Sequence, residues 1–213
     1  MKKEKMEHQE IISQDSFTKN YWHVVAGLYS AGNIFTLFKK NHSFEFKCVS
    51  HSYRQPSKTK TIFTNHAELS FFVEKINGYV YGHKLLEFKD FCKTLDKPVV
   101  IVPNQVPTDA WLFGFSRQKV TFWTNRKTGK TQAFIQDADI TILGFFVDRF
   151  GGAIQKRNGG HLRWALYDQS RLISFCTVLL LYRQSWPLLP LERQKFRETL
   201  ENSAKHYEKK VRR

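Results

Sequence analysis

Hydrophobic positions along the chain change period several times, and each change marks an element. Asp15 and Ser16 offer a cap, after which Phe17, Tyr21, Val24, Val25, Leu28 and Gly32 recur at helical spacing. This predicts an amphipathic helix ending before Lys39. Phe44, Phe46 and Cys48 then alternate with Glu45 and Lys47, the two-residue repeat of a half-buried strand. Pro56 and Ser57 centre a loop, and residues 59–64 are its returning strand.

Asn65 and Glu68 form a capping-box-like start for a second helical stripe, Leu69, Phe72, Val73, Ile76 and Val80. A further short helix carries Leu85, Phe88, Cys92 and Leu95, with Pro98 bounding it. The middle of the chain is predicted to be β-rich. Residues 99–102 are a β-branched run suited to a covered strand, and 111–115, 119–123, 131–136 and 140–147 are expected strands. The turn 125–129, with Gly129 late in it, makes 119–136 a hairpin.

Residues 151–160 are expected to be a glycine-rich basic loop, and 167–182 a helix. Leu191, Phe196, Leu200, Ala204, Tyr207 and Val211 form a last amphipathic stripe. The fold class expected is α+β, with one central, mostly antiparallel sheet of about five to seven strands packed by helices. The organisation is a flexible N-terminus over 1–14, a single domain over 15–186, and a docked C-terminal helix within 187–213.

Composition adds one outlying quantity. The 213 residues hold 34 Lys plus Arg against 19 Asp plus Glu, a formal charge of +15. Such an excess favours polyanionic partners, with nucleic acid the expected one. It gathers in nearly acid-free segments. Residues 39–60 hold Lys39, Lys40, Lys47, Arg54, Lys58 and Lys60 against Glu45 alone. Residues 117–136 hold Arg117, Lys119, Arg126, Lys127 and Lys130 without an acid, and 149–167 hold Arg149, Lys156, Arg157 and Arg163 without one. Lys205, Lys209, Lys210, Arg212 and Arg213 complement the negative end of the last helix.

The segment 117–136 also interleaves Phe122 and Trp123 with its cations and adds Thr, Asn and Gln donors. Phosphates are met by cations and donors, bases by aromatic faces and amides. The candidate nucleic-acid-binding residues are therefore Arg117, Lys119, Trp123, Arg126, Lys127, Lys130, Lys156, Arg157 and Arg163. A two-stranded hairpin fits the major groove, although Trp123 packed inward would be an ordinary strand residue.

Catalytic signals are sparse. Glu45-Phe46-Lys47 has the local acid-x-lysine spacing of metal-dependent nucleases, and Glu87-Phe88-Lys89 repeats it on a helix. Asp137 and Asp139 would share a strand face, with Asp148 beyond, and two carboxylates so placed can share a metal ion. Aspartate is equally natural after a turn. No histidine pair has helical ligand spacing, and neither a nucleotide-binding glycine motif nor a Gly-x-Ser-x-Gly elbow occurs, so no metal site or cofactor is expected.

Cys48, Cys92 and Cys176 are odd in number, distant and set among apolar neighbours, which fits a reducing, cytoplasmic setting. The first dozen residues alternate Lys and Glu and lack the apolar core of a signal peptide. The apolar stretch 172–182 is too short to span a bilayer. The resulting expectation is a non-enzymatic nucleic-acid-binding accessory or regulatory protein of a mobile element. The alternatives are a protein-interaction module or homo-oligomer, anchored by its amphipathic helices and Trp22 or Trp186, and a metal-dependent nuclease.

Overall fold

The computed structural model describes residues 20–32, 35–40, 43–48, 60–63, 66–102, 105–125, 127–182 and 197–205, the three segments between 35 and 63 by backbone alone. Two helices lie at its centre. Helix α1 (20–30) is buried on all sides over residues 23–31, with His23, Val24, Leu28, Tyr29 and Ser30 each at most 3% exposed. Helix α4 (Asp109–Lys119) is likewise buried over Ala110–Ser116. A helix apolar all round belongs inside a core.

The two helices meet backbone to backbone. A Cβ on Gly27 would lie 2.1 Å from the Trp111 carbonyl oxygen, and one on Gly114 would lie 2.1 Å from the Val24 carbonyl oxygen. His23 Nδ1 is 2.9 Å from Thr108 Oγ1. His23 precedes Gly27 as Thr108 precedes Gly114, so the helices run in the same direction. Both C-terminal ends therefore emerge together.

Each central helix leads into antiparallel strands. After α1 come β1 (Phe35–Lys40), β2 (Ser43–Cys48) and β3 (Lys60–Phe63), forming a sheet in that order. After α4 come β4 (Val120–Thr124) and β5 (Thr131–Asp137), then, beyond a helix, β6 (Ala153–Lys156) and β7 (Leu162–Leu166), in the order β4-β5-β7-β6. The expected single central sheet is thus two sheets, of three and four strands, both wholly antiparallel.

Outer helices complete the layers. Helices α2 (His66–Ile76) and α3 (Lys84–Thr94) pack on α1 through Trp22 against Phe71 and Phe72, and Tyr29 against Phe88. Helices α5 (Ile140–Phe150) and α6 (Gln169–Leu181) cover one face of the second sheet, where Phe146, Phe150, Trp164 and Phe175 form an aromatic cluster. Helix α7 (197–205) is the described part of the last stripe. Among the described residues no helix is long and apolar enough to cross a membrane.

Several expected strands are helices. Residues 111–115 lie in α4, whose Thr108 accepts a hydrogen bond from the Trp111 N–H at 3.3 Å. Residues 140–147 lie in α5, capped by Asp139 accepting from the Thr141 N–H at 2.9 Å. The α4 run is buried too broadly for alternation to distinguish strand from helix, whereas in α5 Ile142, Leu143, Phe146 and Phe150 are buried at helical spacing and Ile140, Asp148 and Arg149 are exposed; the caps agree with both helices. Helix α1 ends at residue 30, before Lys39 as expected, where Gly32, at φ +85°, turns the chain toward β1.

Residues 99–102 join no sheet. Val100 instead donates its N–H to the Asn77 side chain at 2.9 Å, and Val100, Ile101 and Val102 are about half exposed. The expected loop 151–160 contains β6, and residues 162–166 make an unexpected strand. Residues 1–14 lie outside the described residues, as do Arg54, Lys58, Arg126 and Trp186.

Candidate nucleic-acid interface

The second sheet has one covered and one open face, set by strand alternation. On β5, Thr131, Ala133, Ile135 and Asp137 are buried, whereas Gln132, Phe134 and Gln136 are not. Register extends the open set. Trp123 stands opposite Gln132, Thr121 opposite Phe134, and Arg163 opposite both Gln136 and Gln155. Trp123 is 50% exposed, so it faces solvent and not the core.

Contacts fix much of this face. The Arg163 guanidinium lies over the Phe134 ring, 4.2 Å from its centroid, and donates from Nη2 to Gln155 Oε1 at 2.8 Å. Gln155 Nε2 in turn donates to the Tyr167 hydroxyl at 2.9 Å, and Tyr167 meets Phe134 edge to face. A planar cation, two rings and an amide hold one another in place before any ligand arrives. The open face carries no carboxylate on these positions. Stacked arginine and side-chain amides are the groups that pair with base edges, and exposed rings take apolar contacts.

The basic turns lie at the two ends of this face. Asp137 stands opposite Leu162, so the β6–β7 turn with Lys156 and Arg157 sits at the end where β4 begins. Lys127 and Lys130 occupy the β4–β5 turn at the opposite end, both exposed, with Asn125 Oδ1 accepting from the Lys127 and Thr128 N–H groups. The seven residues of β5 separate the ends by about 20 Å.

Not all expected contacts belong here. Lys119, the last residue of α4, places Nζ 3.3 Å from Asp137 Oδ2, its side chain 20% exposed against 1% for the carboxylate. Arg117 lies in the last turn of α4 and is part-buried. Arg126 is outside the described residues. Of the nine expected residues, Trp123 and Arg163 share the open face, while Lys127, Lys130, Lys156 and Arg157 bracket it. Gln132 was grouped by the sequence only as a neighbouring donor, and Phe134, Gln136, Gln155 and Tyr167 were missed. The β5 alternation was the available signal for three of these five.

Of the five expected acids, Asp137, Asp139 and Glu87 are occupied otherwise. Asp137 Oδ1 accepts the Asp139 N–H at 3.0 Å, and Asp139 caps α5. Asp137 ends β5 and Asp139 begins a helix, so they share no strand face. Glu87 pairs with Lys84, Glu74 with Lys97, and Asp109 with Arg149 through bonds of 2.6 and 2.8 Å. Among the described residues no three His, Cys, Asp or Glu converge as metal ligands. Glu45 lies on β2 with Phe38 and Ile62 as register partners. The described side chains of Asp137, Asp139 and Glu87 therefore do not combine into a carboxylate site for a divalent ion.

No protein-family model matches the chain, and no curated protein is similar to it in sequence. Solved structures share its fold. The LAGLIDADG homing endonuclease I-GzeII in complex with its DNA target is similar with a TM-score of 0.60 at 14% identity, over 90% of this chain and 91% of that one. The LAGLIDADG meganuclease I-AabMI bound to uncleaved DNA is similar with a TM-score of 0.62 at 13% identity, over 88% and 92%. The LAGLIDADG homing endonuclease I-LtrWI bound to target DNA is similar with a TM-score of 0.57 at 13% identity, over 87% and 90%.

Proposed function

We propose that this chain is a duplex-DNA-binding accessory protein that reads one stretch of major groove with the open face of its four-stranded sheet. The observation that carries the reading is the acid-free array of Trp123, Gln132, Phe134, Gln136, Gln155 and Arg163, bracketed by Lys127, Lys130, Lys156 and Arg157. Cations at the two ends meet phosphates, and the stacked arginine with its flanking amides meets base edges. The likeness in fold to proteins solved on DNA supports duplex DNA over RNA, and the +15 charge suits either polyanion.

Binding selection from a random duplex library, followed by fluorescence anisotropy on the enriched duplexes, tests this. Enrichment of a defined motif, with affinity falling steeply as salt rises, is the expected result. Failure to bind any duplex at low salt would sink the reading.

A metal-dependent nuclease is the second reading, favoured by the same likeness in fold. The described donor set speaks against it, because metal-assisted phosphodiester hydrolysis needs carboxylates free to hold the ion. Nicking of the enriched duplex in Mg²⁺ or Mn²⁺, lost in Glu45→Ala or Asp139→Ala, would establish it.

A further inference from the structure

We propose that the carboxylates at the junction where α1 and α4 end are held by lysines and so are closed to a divalent cation, and that DNA seats across it without one and remains uncut. The inference rests on the DNA-binding reading. The helices are parallel at their crossing, so two helix C-termini emerge side by side, each with a partial negative charge of about half an electron. Strands β1 and β4 begin just beyond those ends. A duplex laid along both sheets passes over the junction, where that field opposes its phosphates.

Carboxylates at the helix ends would deepen the repulsion and require a bound cation. Here the acid at each helix end is already held by a lysine, so neither adds to that field. Helix α4 ends on Lys119, which faces the buried Asp137 at 3.3 Å. Beyond α1 stands Gly32, with Lys84 packed beside it: a Cβ on Gly32 would lie 3.3 Å from Lys84 Cε and 3.2 Å from His83 Nε2. Lys84 is paired with Glu87. Each helix end thus has one lysine, and each lysine has one carboxylate, which leaves no acid uncompensated among these groups. Asp137 is sealed from solvent, so it is not open to a metal while Lys119 holds it.

The test compares binding in EDTA with binding in Ca²⁺ at matched ionic strength, using library-enriched duplex, and then adds Mg²⁺ or Mn²⁺ to look for cleavage. Wild-type protein is expected to bind equally within roughly twofold in both buffers and to leave the duplex intact. Lys119→Gln exposes the junction to an unneutralised Asp137. At pH 8 it is expected to bind roughly tenfold more weakly in EDTA and to recover in Ca²⁺. The double variant Lys119→Gln/Asp137→Asn removes the ion pair without a lone buried charge and keeps the net charge. It is expected to regain insensitivity to EDTA, while circular dichroism confirms that both variants fold.

A wild-type requirement for divalent cation, cleavage of the duplex, or a folded Lys119→Gln indifferent to EDTA overturns the proposal and leaves DNA binding standing. If Lys119→Gln does not fold, EDTA sensitivity in the double variant overturns it equally. Absence of binding in every buffer overturns the DNA-binding reading instead, and this inference with it.

Discussion

Gly27 and Gly114 occupy equivalent places on two parallel helices, each pressed against the other helix's backbone. A Cβ on either would come within 2.1 Å of a carbonyl oxygen, with further backbone atoms at 2.9 Å. Backbone cannot yield as a side-chain tip can. Gly27→Ala and Gly114→Ala are each expected to lower stability by about 3 kcal/mol or more, measured by urea titration. Gly144, inside α5 with nothing within 4 Å of its Cβ position, is the control, and its change to Ala is expected to stabilise by about 0.5–1 kcal/mol.

Arg163 is the residue most restrained on the open face. Arg163→Ala is expected to cost about 1–3 kcal/mol of binding, concentrated at one base pair of the enriched motif. Arg163→Lys is expected to fail as a replacement, since a lysine cannot lie flat over Phe134 and present a planar pair of donors. An even loss across all sequences would mark Arg163 as a phosphate contact instead.

Lys127 and Lys130 belong to an exposed turn, and the DNA-binding reading gives them contacts of charge, not of base sequence. Changing Arg126, Lys127 and Lys130 together to Ala is expected to reduce the slope of log affinity against log salt by up to about 2 to 3, because each phosphate contact contributes about 0.9. The enriched motif is expected to be unchanged. A slope equal to that of the wild type would remove this turn from the interface.

Asp168 caps α6, and its carboxyl is held below the usual range by a hydrogen bond from the Ser170 hydroxyl, then by the Arg171 N–H. A folded-state pKa below the unfolded value stabilises above the unfolded pKa, and that contribution is lost as pH falls through the folded one. Asp168→Ala is expected to lower stability by about 1 kcal/mol at neutral pH. The difference from wild type should shrink in acid, and thermal melts from pH 7 to pH 3 follow it. A constant difference would mean that the cap acts without its charge.

What the sequence determined by itself is local. Alternation marked β2, turns marked β3, β4 and β5, and the 3.6-residue stripe marked α2 and α3, which have one wet and one dry side, as β5 has. The clustering of cations was equally visible, as was the exclusion of nucleotide-binding motifs. Residues 111–115 were misassigned because α4 is buried on every side from Ala110 to Ser116, which erases the periodicity that separates helix from strand, whereas in 140–147 the helical spacing of Ile142, Leu143 and Phe146 was legible and was overlooked. The caps, Thr108 and Asp139, recorded the helical state of both.

Tertiary structure decided the rest. Strand order, and not sequence proximity, places Arg163 beside Gln136 and Gln155, and stacks it on Phe134 across a 29-residue separation. It also withdrew Lys119 from the basic segment it seemed to belong to, by setting Asp137 opposite it from the far end of β5. Charge along a chain is additive, but its effect depends on which side chain folding places within a few ångströms, and that is fixed by pairing between distant strands.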